Sequence, residues 1–121
     1  DPKVDLQITA PKSVEYRKNF DLMLAVNSSS FSVPRKLKIV LQGTGFENKW
    51  EIKELKQPKK LLVKLSSKGL GKNSNFKVLM LWEDKSGKRF KGEKSVIVKI
   101  KGKNLWEKFL IWINGLVRII K

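Results

Sequence analysis

The sequence contains neither cysteine nor histidine. Without cysteine the chain can form no disulfide and no thiolate metal site. Without histidine it lacks the commonest general base, the commonest zinc ligand and every Ser-His or Cys-His pairing. A Ser-Lys arrangement remains formally open, but nothing marks one serine or lysine for it. We therefore expect a protein that is not an enzyme and that has no catalytic, metal or cofactor site.

Acidic residues are also scarce, with 11 Asp and Glu against 27 Lys and Arg and a net charge of +16. A charge this large favours anionic partners such as nucleic acid, lipid headgroups or acidic polymers. The alternative is that the lysines only keep the protein soluble. The 121 residues suffice for one domain, and because the chain starts at Asp1 rather than Met, we expect a piece of a larger protein.

Short segments between residues 4 and 100 alternate apolar and polar residues, which is typical of strands with one buried face. Gly, Pro, Asn and Ser separate these segments, and no helical pattern interrupts them. The pattern predicts an all-β, Ig-like antiparallel β-sandwich of about seven strands over residues 1–102. The clearest hairpin turn spans 83–88, where Asp84 starts the turn and Gly87 can supply a positive φ.

Four stretches carry a resemblance to a known family. They are an opening strand that stops at Pro11, the strand FDLMLAVNSSS, residues 53–58 ahead of LLVKL, and the strand FKVLMLWED with its turn. In these the chain resembles the Ig-like modules of archaeal and bacterial surface proteins, of the CARDB and S-layer-associated type, with fibronectin type III as a more distant relative. The resemblance implies a spacer, adhesion or assembly unit at an extracellular or membrane-associated cell surface.

Lysines occupy outward strand positions, where they keep the strands soluble and their edges unpaired. The pairs are Lys36 and Lys38, Lys49 and Lys53, Lys60 and Lys64, and Lys99 and Lys101. They could also form a cationic face for polyanions, which is our alternative function. Proteins that bind single-stranded nucleic acid add exposed aromatic residues for stacking. Because Phe20, Phe76, Trp50 and Trp82 fall at inward positions, nucleic acid is disfavoured as a partner.

Some outward strand positions are apolar. Val40, Leu79, Leu81 and Ile97 fall outward on three strands that are neighbours in one sheet of an Ig-like sandwich. We predict that these four residues form one outer-sheet patch. Strands that are apolar on both sides are normally covered on both sides, so something should cover this patch.

Residues 103–121 change pattern and predict a C-terminal amphipathic helix, with Asn104 as its cap and Asn114-Gly115 as a candidate end or kink. Its apolar residues recur at three- and four-residue steps, which places them on one face. This predicted docking face consists of Leu105, Phe109, Trp112, Ile113, Leu116 and Ile120. The segment is too short and too charged to span a membrane.

Three partners could cover this face. The helix could fold back on the outer-sheet patch. It could pack against a second copy or a neighbouring domain of the parent protein. It could also lie in an anionic membrane surface, where the lysines meet headgroups. Separately, Asn27-Ser28-Ser29 matches the N-glycosylation pattern, which makes Asn27 a possible glycosylation site.

Overall fold

The structure, a computed structural model, describes residues 1–43, 45–102 and 105–120, and for 117–120 it describes the backbone alone. The described residues form eight strands and one helix. In chain order these are β1 (Val4–Thr9), β2 (Ser13–Glu15), β3 (Asn19–Ser28), β4 (Arg35–Gly43), β5 (Phe46–Glu54), β6 (Lys59–Ser66), β7 (Asn73–Glu83), β8 (Arg89–Lys101) and α1 (Leu105–Ile120).

The strands form two sheets, one with the order β1-β3-β6 and one with the order β2-β8-β7-β4-β5. Strand pairing is antiparallel except between β2 and β8, which run parallel. The predicted Ig-like sandwich with a C-terminal helix is confirmed. The additional strand is β2, whose three residues include a single inward side chain, Val14. Alternation cannot reveal so short a strand.

Period-two alternation places the core between the sheets. On β3, every second residue from Phe20 to Val26 is buried, and β4 and β7 repeat the pattern. Phe20 and Phe76 meet edge to face across the sheets, with ring centroids 6.1 Å apart. Each such side chain contributes about 1.5–3 kcal/mol by leaving water. The inward placement predicted for the aromatic residues is confirmed, with Trp50 partly buried against the core.

Two hydrogen bonds fasten the N-terminal edge to the larger sheet. The Trp82 indole nitrogen donates to the Pro2 carbonyl at 2.9 Å. The Lys94 ammonium donates to the Leu6 carbonyl at 2.9 Å. These bonds satisfy polar groups that burial would otherwise leave unpaired, so they hold β1 over β7 and β8.

The turn between β7 and β8 forms as predicted. Asp84 Oδ1 accepts hydrogen bonds from the Ser86 amide at 2.9 Å, the Ser86 hydroxyl at 2.7 Å and the Lys88 amide at 2.9 Å. These bonds, led by that of the Ser86 side chain, hold the pKa of Asp84 below its usual range. Gly87 has a φ of 89°, which favours glycine at that position.

Candidate docking surface on the C-terminal helix

Helix α1 is attached to one end of the sandwich through a narrow face. Ile111 is buried in the core cluster, and Leu110 packs partly against it. The Asn114 side-chain amide donates a hydrogen bond of 3.1 Å to the Leu70 carbonyl in the connection between β6 and β7. This face therefore combines one buried apolar anchor with one hydrogen bond that orients the helix.

Gly71 lets that connection approach the helix backbone closely. A Cβ atom added to Gly71 would lie 3.0 Å from the Cα atom of Gly115 and 3.1 Å from its nitrogen. No side chain fits between two backbones at that separation. The expectation that Asn114-Gly115 could end the helix is wrong, because α1 continues to Ile120. The absence of a side chain on Gly71 allows the close approach, whereas a Cβ atom added to Gly115 itself would meet nothing within 4 Å.

The connection under the helix is held by hydrogen bonds to its neighbours. The Ser67 hydroxyl donates to the Glu15 carbonyl at 2.8 Å and accepts from the Lys18 amide at 3.0 Å. The Ile100 amide donates to the Lys72 carbonyl at 2.9 Å. The connection that supports the helix is therefore joined to the segment 15–18 and to the end of β8.

The opposite face of α1 is apolar and exposed. Its residues, which we call the helix stripe, keep between 36% and 85% of their surface in contact with solvent. The helix stripe consists of Leu105, Trp106, Phe109, Trp112 and Leu116. The three aromatic rings form a row, with centroids 5.9 Å apart between Trp106 and Phe109 and 6.2 Å apart between Phe109 and Trp112. Contiguous exposed apolar surface of this kind marks interaction sites.

Four of the six residues of the predicted docking face lie together on the exposed side of the helix. Leu105, Phe109, Trp112 and Leu116 share the exposed side of the helix, and Ile113 is half-buried. The side chain of Ile120, the cap residue Asn104 and the terminal Lys121 lie outside the described residues. The contact with the sandwich is made instead by the face of Ile111. The available signal was that Leu110 and Ile111 are apolar but fall outside the predicted docking face, which indicates a second apolar side that should be covered.

The outer-sheet patch is only partly assembled. Val40 and Leu79 are directly paired across β4 and β7, and Leu81 lies two residues further along the same face. Ile97 pairs with Asn75, whereas the partner of Leu79 on β8 is Glu93. Four residues of extended strand separate Ile97 from that position, or about 13 Å. The prediction of a single four-residue patch is therefore wrong for Ile97, because the register of β8 could not be obtained from alternation.

The helix does not lie over this patch. Its described contacts and the surfaces that it shares with the sandwich fall on residues 70–73 and 100–102. Leu81 and Ile97 remain exposed. The hypothesis that the helix folds back onto the outer sheet is therefore replaced by attachment at the end of the sandwich.

A groove beside the helix carries three lysines. It has a volume of about 560 Å³ and is lined by Lys72, Lys101 and Lys108 together with Ile111 and Trp112, among others. We call it the lysine groove. All three lysines are exposed, and none takes part in a salt bridge among the described residues. Three lysines that line one groove without a salt bridge make this groove attractive to anions.

The sheet faces are less uniformly cationic than the sequence suggested. On the outer face of the five-stranded sheet, Lys49 is paired across strands with Val40, and Glu51 with Lys38. Lys77 and Glu93 form a salt bridge of 2.9 Å on the same face. Acidic residues therefore interrupt the lysines on this sheet, whereas the groove beside the helix keeps its charges together.

Asn27 lies on β3 opposite Asp5, and it is exposed. Phe31, the most exposed large apolar side chain of the described residues, follows in the connection from β3 to β4. This connection lies at the end of the sandwich opposite α1. Glycosylation of Asn27 remains a prediction.

Among the described residues no helix is long and apolar enough to cross a membrane. The same residues contain no group of three or more His, Cys, Asp or Glu side chains that could hold a metal ion.

The chain matches no protein-family model and no curated protein. Its fold is similar to solved structures. The CARDB domain of a Pyrococcus furiosus protein, crystallised with di-metal ions, has a TM-score of 0.62 and 14% identity, covering 83% of this chain and 89% of that one. The solution structure of the same domain has a TM-score of 0.58 and 12% identity, covering 82% of this chain and 94% of that one. A cohesin module of a Clostridium perfringens family 33 glycoside hydrolase has a TM-score of 0.56 and 9% identity, covering 83% of this chain and 98% of that one. The fold of this chain is that of a CARDB-like, Ig-like β-sandwich.

Proposed function

We propose that this chain is a non-catalytic interaction module of a larger, surface-associated protein, and that α1 is its docking element. In this proposal the sandwich of residues 1–102 is a rigid support, and the segment 103–121 presents an apolar surface to a partner. The fold likeness to CARDB and cohesin modules supports the choice of class, although fold alone does not determine function.

One observation carries the proposal. The helix stripe is exposed even though its helix is fixed to the sandwich by another face. Burying a side chain of this size contributes about 1.5–3 kcal/mol, so a partner that covers the stripe gains considerable free energy. A helix that served only to close the sandwich would direct these rings inward.

Thermal unfolding of a variant distinguishes a docking role of the helix stripe from a structural role. We expect Phe109→Ser/Trp112→Ser to unfold cooperatively at nearly the wild-type temperature, because exposed substitutions change stability by about 0.5 kcal/mol or less. Thermal unfolding followed by circular dichroism measures this. A drop in Tm of more than about 10 °C would correspond to a loss of well over 1 kcal/mol. It would show that the stripe is part of the folded core and would overturn the docking proposal.

The lysine groove favours a second candidate, a module that binds polyanions such as nucleic acid or acidic polymers. Its three lysines lack salt-bridge partners among the described residues. Oligonucleotide binding measured over a range of salt concentrations tests this function. Affinity should fall steeply with salt as counterions are released, and affinity that is independent of salt would exclude it.

A further inference from the structure

The helix stripe and the lysine groove adjoin each other, because Trp112 belongs to both. One end of the sandwich therefore presents an apolar aromatic row and, next to it, three cationic side chains. This arrangement is complementary to a surface that is apolar below and negatively charged above. We propose that this end of the module docks on anionic lipid headgroups. The inference rests on the docking function proposed for α1.

The geometry suits a helix lying in the plane of a membrane surface. Sixteen residues give α1 a length of about 24 Å, and the aromatic row follows its axis. Tryptophan and phenylalanine side chains on such a helix reach about 5–10 Å into the boundary between headgroups and acyl chains. The lysines of the groove then remain at the level of the lipid phosphates.

The surrounding charges reinforce this orientation. Further exposed cationic residues lie on the connection under the helix, on the segment 15–18 that is hydrogen-bonded to it, and near the end of β8; they are Arg17, Lys18, Lys68 and Lys99. The acidic residues of this region, Glu15 and Glu107, each have an interaction partner of their own. The end of the sandwich therefore approaches an anionic surface with a positive field.

A lipid surface explains the stripe better than a polyanion does. A soluble polyanion would contact the lysines and leave the helix stripe in water. Stacking of single nucleotides would need separate ring faces, but Phe109 lies about 6 Å from both of its aromatic neighbours. Only a partner with an apolar layer uses both features of this surface.

Vesicle co-sedimentation of the full chain tests the proposal. We expect binding to mixed phosphatidylcholine and phosphatidylglycerol vesicles, and much weaker binding to phosphatidylcholine alone. Lys72→Gln/Lys101→Gln/Lys108→Gln should weaken binding to the mixed vesicles about 100-fold, since each lysine near an anionic surface changes affinity several-fold. Phe109→Ser/Trp112→Ser should weaken binding at least about tenfold, because it removes the inserting rings.

Matched controls lie at the opposite end of the sandwich. Lys53→Gln/Lys59→Gln/Lys60→Gln removes the same charge from exposed positions, and Phe31→Ser removes an exposed aromatic ring. We expect both control variants to bind mixed vesicles within about twofold of the unmodified chain, because these positions lie beyond a Debye length of about 8 Å from the bound surface.

Several results would overturn the lipid proposal. The first is failure of the unmodified chain to bind mixed vesicles, and the second is equal binding to both vesicle types. The third is undiminished binding by the variant that lacks the three groove lysines or by the variant that lacks Phe109 and Trp112. Stripe-dependent dimers in sedimentation velocity, without vesicle binding, would assign the docking function to a second copy instead. Oligonucleotide binding that needs the groove lysines but not the stripe would identify the polyanion function.

Discussion

Ile111 and Trp112 are adjacent in sequence and project about 100° apart around one helix, with 3% and 59% of their surfaces exposed. The first anchors α1 to the sandwich, and the second belongs to the helix stripe. This division separates the stability of the helix from its proposed function. Substitutions at the two positions should therefore have different effects.

Replacing Ile111 by alanine should lower the free energy of unfolding by about 2–4 kcal/mol, because it removes buried methyl groups and leaves a cavity. Trp112→Ala should change it by about 0.5 kcal/mol or less, because the side chain is exposed. Urea denaturation of both variants measures the difference. Equal losses would mean that both faces of the helix are buried in solution.

Gly71→Ala should displace the helix, because the added Cβ would lie 3.0 Å from the Gly115 backbone. A backbone neighbour cannot rotate away as a flexible side chain can. The measurement is hydrogen exchange of the α1 amides, which we expect to become faster. Gly69→Ala is the matched control in the same connection, since its added Cβ meets nothing within 4 Å. Unchanged protection in Gly71→Ala would contradict the close approach of the two backbones.

The hairpin turn should depend on pH through Asp84. Its folded-state pKa is lowered, first by the Ser86 side-chain hydrogen bond. The contribution of the carboxylate to stability is therefore fully present above the ordinary aspartate pKa of about 4. It is lost as the pH falls through the lowered folded-state value.

An NMR titration of the Asp84 carboxyl carbon should give a pKa below that of a model aspartate. In Ser86→Ala the value should move back toward the ordinary one, because the strongest stabilising bond to the charged form is gone. Lys85→Ala, a change in the same turn at a residue outside these bonds, serves as the control. A normal pKa in the unmodified chain would show that the turn is open.

Much of the sandwich could be predicted from alternation, since the inward positions of β3, β4 and β7 follow directly from period two. The register between neighbouring strands could not be predicted in this way, and the separation of Ile97 from Leu79 depends on that register. Alternation assigns a face to each residue but does not determine which residues of neighbouring strands are paired.

The helix could also be predicted from the sequence, but its orientation on the sandwich could not. Its length, its approximate start and four of its five exposed stripe residues, all except Trp106, follow from three- and four-residue spacing. The side that meets the sandwich depends on Gly71 and Leu70, which lie about 40 residues upstream in the chain. When apolar residues occur on more than one side of a helix, their spacing does not determine which side packs against the sandwich.

If α1 is fixed by the Ile111 face and its aromatic stripe is free, the indole N–H signals of the tryptophans should report this difference in exposure. One ¹H–¹⁵N spectrum with a soluble paramagnetic gadolinium chelate, recorded on a dilute sample, reports the exposure of each tryptophan. We predict strong broadening for Trp106 and Trp112, and protection for Trp82, whose indole donates to the Pro2 carbonyl. Protection of Trp112 equal to that of Trp82 would show that the helix stripe is covered and that α1 does not offer a free docking surface.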